Sequence, residues 1–578
     1  MLAETNQVTA DIPGRKKRSY VTEDFVPSAW ELIEPYFKEL LAREINSVES
    51  LNLWLRDWSE LESVLGENSR WIYVRTTLDT SDEAAKAELI NLYTNIHPHL
   101  APGENLLKKK LIASPFAGEL NPEIFSTYIR KTKKEIELFC EENIPLFSEM
   151  NMKQALFDQI AGAQSIEYNS KELTLQQASI YLKSTDRKQR EEIFDKIMQR
   201  RLQDSQKLDE LLSELIQLRH KIALNAGFKN YLEYRFEELG RFDYTPDDCL
   251  VFHAAVEEVV MPVVNRLFES RKQQMALDVM RGWDMEADAS GKTPLKPFET
   301  TDELIEKTIT CFNQLDPYFG ERIDIMRQMK YLDLDSRMHK GTGGYNMTMP
   351  EIGVPFIFMN SANSEHDLIT IVHEGGHAIH TFLSHPLELN SLKEVTSEIA
   401  EVASMAMELM SMEHWDIFYT NPDDLKRAKK NHLEYILSLL ARTCLGDSFQ
   451  FWLYTNPNHT VEERRLKWRE LQTRFIPRVI DWTGYQESFD TGYQKILHFY
   501  VVPFYYIEYA FAELGALALW RNFKQDPGKA VSDYKKALSL GYTKSIPVFY
   551  ETAGAKFDFS KPYVSSLIDF LKAELNKL

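Results

Sequence analysis

Apolar residues recur at helical spacing over most of this chain. Two blocks, 27–65 and 81–111, alternate amphipathic runs with short breaks, and 186–226 reads as one long charged helix with Ile193, Ile197, Leu208, Leu211, Leu212 and Leu215 on its apolar side. The pattern changes at Phe356-Ile357-Phe358-Met359, a short apolar run bounded by Pro355 and Asn360, which predicts a strand. Segment 286–302 is punctuated by Gly, Pro and Ser and predicts a loop. Segment 501–520 is nearly apolar, but Pro503, Glu508 and Glu513 interrupt it, so it predicts a buried helix and not a membrane span. No repeat of 20 to 50 residues is evident, which argues against a helical solenoid. These elements together predict a mainly α protein with one small β-sheet.

Length and composition add limits. At 578 residues with 44% hydrophobic content, the chain exceeds one core and has apolar surface enough for two or more. It is divided here near residue 185, into a helical region 1–185 and a catalytic region 186–578. A net charge of −20 argues against a nucleic-acid partner. The four cysteines, Cys140, Cys249, Cys311 and Cys444, lie far apart without C-x-x-C spacing, so neither a disulfide framework nor a thiolate metal site is expected. The first residues lack an apolar signal core, and the basic run Arg15-Lys16-Lys17-Arg18 reads as a solvated arm. A reducing, cytoplasmic setting without membrane contact is the expectation.

The chemistry concentrates in residues 364–377, which end in His373-Glu374-Gly375-Gly376-His377. With 14 His and 87 acidic residues in the chain, random placement gives roughly 0.05 matches to H-(D/E)-x-x-H, so chance is a poor explanation. Ser364 and Asp367 read as a capping box that opens a helix through Leu368, Ile369, Ile371 and Val372. On that helix His373 and His377 share a face and can hold one metal ion, with Glu374 beside it. A third ligand is needed. Thr396 or Ser397 can cap a second helix carrying Glu398, Glu401 and Glu408, of which Glu401 and Glu408 share a face. The residues alone leave Glu398 and Glu401 as equal candidates.

The chain resembles the oligoendopeptidase F and thimet oligopeptidase family of zinc peptidases. His373, Glu374, Gly376, His377 and His380 match H-E-x-G-H-x-x-H, and Glu401 with Ser404 matches the downstream E-x-x-S. Further likeness lies in Lys340-Gly341-Thr342-Gly343-Gly344-Tyr345, in 355–360 and in 498–509, always in the family's order. The resemblance implies a helical zincin-type metallopeptidase with a deep substrate groove and a small sheet beside the active-site helix. It implies one Zn2+ on His373, His377 and Glu401, with Glu374 as general base and acid on a water activated by the metal. It also implies a histidine and two tyrosines three apart as oxyanion donors, best matched by His498, Tyr506 and Tyr509. The alternative pairing of Tyr505 with Tyr509 stays open, because four is also a same-face spacing.

By the same resemblance, Phe356 and Phe358 would lie on an edge strand that pairs with bound peptide, beside Gly343, Gly344, Tyr345 and Tyr505. A buried strand of a small sheet is the other reading. The expected activity is internal cleavage of short peptides. Zinc exopeptidase chemistry on the same fold, or metal-free peptide binding, are the alternatives. Gly375 stands where relatives often carry a larger residue, and two consecutive helix glycines mean either a close backbone approach or a soft helix.

Overall fold

The computed structural model describes residues 13–341 and 343–578. Helices dominate, and contacts gather the chain into two compact units. The first comprises Met1–Ile136, Lys296–Leu425 and Gly515–Lys556; the second comprises Glu137–Leu295, Lys426–Leu514 and Phe557–Leu578. Each unit is assembled from three separate stretches of the chain.

Seven strands occur among the described residues: β1 (Ser165–Tyr168), β2 (Lys171–Thr174), β3 (Met280–Arg281), β4 (Leu332–Asp335), β5 (Tyr345–Met349), β6 (Val354–Ser361) and β7 (Ile480–Asp481). In the second unit β1 pairs with β2 and β3 with β7, both ladders too short to leave a pattern in the sequence. The sheet that matters for function lies in the first unit, with strand order β4-β6-β5.

That order corrects the edge-strand expectation for Phe356 and Phe358. Both lie on β6, the central strand, paired in parallel with β4 on one side and antiparallel with β5 on the other. Their rings, 3% and 0% exposed, pack with Val74 and Met349 in an apolar cluster that includes Trp71 and Tyr345. A central strand has no unpaired backbone to offer a peptide; the sheet's edges are β4 and β5.

The two faces of the sheet are covered by two helices. Trp71, Val74 and Leu78 of helix Val48–Leu78 recur at helical spacing and cover one face. Helix Glu365–Ser384 covers the other, where Asn346 donates to the Glu374 carbonyl (3.1 Å) and Thr348 and Thr381 share a hydroxyl hydrogen bond (2.8 Å). The first unit also holds the basic run, in which Arg15, Lys16 and Lys17 are exposed as expected and only Arg18 is drawn in. Arg18, with its side chain only 8% exposed, grips Glu351 in the β5–β6 turn through Nε (2.6 Å) and a terminal nitrogen (3.0 Å).

The block 186–226 is two helices, Arg187–Gln203 and Ser205–Asn225. The break falls at Asp204, whose carboxylate accepts from the side chains of Arg200 (2.6 Å) and Gln164 (3.2 Å). All six apolar positions predicted for its inner side are buried. Residues 286–300 form the expected loop before helix Thr301–Leu315. The apolar stretch 501–520 becomes a helix only from Tyr506, running to Phe523. Among the described residues no helix is long and apolar enough to cross a membrane, and none of the four cysteines is in a disulfide.

Candidate metal centre

The helix carrying the histidine motif starts where its sequence says it should. The Asp367 carboxylate accepts from the Ser364 backbone (2.8 Å) and hydroxyl (2.9 Å), and from the Ala362 backbone (2.9 Å). Leu368, Ile371, Val372, Ala378 and Ile379 then bury one face. The adjoining helix Ser397–Ser411 is buried almost all round, and tyrosine hydroxyls fix its backbone: Tyr534 donates to the Ala403 carbonyl (2.6 Å) and Tyr550 to that of Glu398 (3.0 Å).

The two helices touch at Gly376. A Cβ there would stand 2.6 Å from the Ser404 Cα and 2.7 Å from the Ala403 carbonyl oxygen. Gly375 faces the Phe312 ring at a similar separation, 2.6 Å. Both glycines are therefore explained by close approach, with the motif helix continuous through them.

This crossing brings His373, His377 and Glu401 together, each offering one ligand atom, all within 4.8 Å of one another. His373 Nε2 is 3.4 Å and His377 Nε2 3.8 Å from the same Glu401 oxygen. Around a tetrahedral ion with bonds of 2.0–2.1 Å, neighbouring donors stand about 3.4 Å apart, so the donor set fits zinc. Glu398 is buried one turn earlier and does not join the group. Ser404 explains the E-x-x-S spacing, because its hydroxyl donates to the Glu401 carboxylate (3.2 Å) and carbonyl (2.9 Å). His380 lies apart, buried against Phe549 with ring centroids 6.3 Å apart, and burial pushes its pKa down to about 3.

Glu408, placed by its sequence spacing on the Glu401 face but given no role there, belongs to the site. Its carboxylate meets His373 Nδ1 at 2.6 Å, which holds that nitrogen protonated and leaves Nε2 for a metal. The seven-residue spacing from Glu401 was the available signal, since it puts both carboxylates on the face toward the histidines. Burial opposes charge on His373, but the Glu401 and Glu408 carboxylates outweigh it and hold its pKa well above the ordinary value. Glu374 is buried, which pushes its carboxyl up to about 7; His373 opposes the shift and Glu401 and Glu408 add to it. A carboxyl of that kind suits a group that takes and returns protons near neutral pH.

Near the sheet, Gly343 has φ +87°, and Gly344 passes 3.3 Å, at its missing Cβ, from the Phe358 carbonyl. Tyr345 stacks on Phe358 (centroids 4.8 Å apart) and shares a hydrogen bond with Thr77 (2.6 Å), so its side chain belongs to the sheet's packing.

In the second unit His498, Tyr505, Tyr506 and Tyr509 form one aromatic cluster. The His498 ring centre is 4.9 Å from that of Tyr506, 5.9 Å from Tyr509 and 6.1 Å from Tyr505. The preceding turn is pinned by buried arginines: Arg219 donates to the Phe499 carbonyl (2.8 Å), and Arg241 donates to that of Phe504 and pairs with Glu508 (2.7 Å). The Tyr506 ring lies on Gly446, where a Cβ would come within 2.5 Å of it.

On this helical fold two histidines and a glutamate from crossed helices converge beside a buried glutamate, a donor set that could hold one metal ion. A family model described as Peptidase family M3 matches residues 180–568, and one described as Peptidase M3 N-terminal domain matches residues 23–139. The chain belongs to peptidase family M3. Curated relatives include an oligoendopeptidase F homolog of Borreliella burgdorferi, 24% identical over 437 residues that cover 72% of this chain and 70% of that protein. Oligopeptidase PepF of Bacillus subtilis is 22% identical, covering 71% of this chain and 61% of its own length. Among solved structures, an inhibitor-bound PZ peptidase A superposes with a TM-score of 0.89 at 24% identity, covering 95% of this chain and 97% of that one. Oligoendopeptidase-F from Enterococcus faecium gives a TM-score of 0.64 at 15% identity, covering 95% and 97%.

Proposed function

We propose that this chain is a zinc-dependent oligoendopeptidase that hydrolyses internal bonds of short peptides. The observation that carries this reading is the convergence of His373, His377 and Glu401 beside Glu374. His373, His377 and Glu401 would hold zinc, which would supply Lewis acidity toward the scissile carbonyl and lower the pKa of the attacking water. The Glu374 carboxylate takes the attacking water's proton and delivers it to the leaving nitrogen. Glu408 holds the His373 ring through Nδ1 and leaves Nε2 as the atom that would take the metal. Tyr509 and His498, with Tyr506 as the third member, donate hydrogen bonds to the oxygen that gains charge in the transition state.

The peptide lies along β5, not along the Phe356–Met359 run. β5 is an edge strand among the described residues, and Asn346 ties it to the Glu374 backbone. Short peptides in a reducing, cytoplasmic setting are the substrates in this reading, which cysteines outside any disulfide support. Consecutive modules 1–185 and 186–578 are likewise part of the proposal. The test is a quenched peptide of about ten residues, blocked at both ends. Internal cleavage that a chelator stops and zinc restores is expected. Cleavage only of peptides with a free terminus would instead favour an exopeptidase.

A further inference from the structure

The edge of β5 can be read residue by residue. Pro355, opposite Thr348, has no N–H to donate. The Ile357 N–H, opposite Asn346, is turned toward Tyr331, whose carbonyl accepts it at 2.9 Å. The Gly353 N–H reaches the Met349 carbonyl at 2.7 Å. Met349, Met347 and Tyr345 therefore spend their backbone groups on β6, whereas Asn346 and Thr348 direct theirs off the opposite edge, where no described strand pairs.

Those two outward rungs are not equivalent. Arg70, reaching round from helix Val48–Leu78, donates from one terminal nitrogen to the Thr348 carbonyl (2.7 Å), and its other terminal nitrogen stands 3.7 Å from the Glu394 carboxylate. The guanidinium thus occupies the position from which the N–H of a bound peptide would approach Thr348. At the Asn346 rung, whose side chain reaches the Glu374 carbonyl, no side chain among the described residues is seen bonding the outward backbone groups.

We propose that Arg70 is a specificity-determining residue that ends backbone pairing of a bound peptide after the Asn346 rung, so that one side of the scissile bond gains nothing from further extension. The inference rests on the peptidase reading, with the peptide on β5. It predicts an asymmetry that overall chain flexibility or groove size would not produce.

The experiment uses zinc-loaded protein and two series of doubly blocked peptides, lengthened one residue at a time on either side of the scissile bond. In wild type, one series stops gaining in kcat/KM once it passes the Asn346 rung. In Arg70→Met, which keeps the aliphatic stem and frees the carbonyl, the long-to-short ratio of kcat/KM in that series rises about fivefold, the worth of one net hydrogen bond. The other series keeps its ratio, and Arg70→Lys, still a donor, keeps the wild-type profile. A second measurement needs no variant. Backbone N-methylation scanned along the peptide costs wild type about fivefold at the residue paired with Asn346 and nothing two residues further toward Thr348. Equal ratios in Arg70→Met and wild type, a parallel change in both series, or a methylation penalty at the Thr348 rung overturns the proposal. A wild type that cuts no blocked peptide overturns the peptidase reading itself.

Discussion

Gly376→Ala is the sharpest structural test of the metal centre, because the added methyl meets backbone on the ligand-bearing helix. Its Cβ would lie 2.6 Å from the Ser404 Cα and 2.7 Å from the Ala403 oxygen, where ordinary contact begins at 3.4 Å. The Tyr534 hydrogen bond to that same carbonyl leaves the backbone little room to turn aside. The helices must therefore part by about 0.8 Å, several times the ~0.2 Å within which ligand distances hold in a metal site. Alanine gains about 1 kcal/mol over glycine in a helix, against an overpacking cost of about 1–3 kcal/mol, so the variant folds with a modest net loss. Zinc affinity falls further, by roughly 10–100-fold, the scale on which disturbed ligand support acts. Chelator competition measures the affinity and thermal unfolding of the metal-free protein measures the fold. A folded variant that binds zinc as tightly as wild type refutes the reasoning. Gly375→Ala is the control: its three nearest neighbours are all atoms of the Phe312 ring and not backbone of the ligand helix, so stability drops while zinc affinity holds.

Four further outcomes follow from the same geometry. Glu374→Gln keeps zinc but loses about 10²–10⁴-fold in kcat, since an amide cannot accept the proton; normal turnover by the zinc-loaded variant would falsify the role. Glu401→Ala and His377→Ala lose zinc, whereas Glu398→Ala retains it, as elemental analysis of the three proteins would read. Glu408→Gln weakens zinc binding about 10–100-fold in chelator competition while leaving the ligand set intact, and an unchanged affinity would reduce Glu408 to packing. Tyr509→Phe lowers kcat on the order of 10²-fold with zinc content unchanged, with a comparable loss expected for Tyr506→Phe and little for Tyr505→Phe. Steady-state kinetics in which only Tyr505→Phe is damaging would shift the pairing to Tyr505 and Tyr509.

The histidine pair and the helix that carries it were legible in the sequence because their signals are local, whereas the choice of Glu401 over Glu398 came from the family resemblance and not from spacing. Two histidines four apart, a capping box three residues wide and glutamates seven apart on one helix are all periodicities of a single element. Strand order is not local. Phe356–Met359 reads the same whether β6 is central or at an edge, and only the pairing of distant β4 decides it. The break at Asp204 was likewise hidden, since no glycine or proline marks it in the sequence. The two glycines read as either contact or softness until the facing helix and Phe312 were in view. The grip of Arg18 on Glu351 pairs residues over three hundred positions apart, which no charge pattern near the chain start foretells.

The central claim is that His373, His377 and Glu401 hold one zinc ion. Elemental analysis of wild type and Glu401→Ala, both purified without added metal, tests it most directly. The account predicts about one zinc per wild-type chain and a large deficit in the variant. Wild type without zinc even after incubation with the ion, or equal zinc in both proteins, would contradict it.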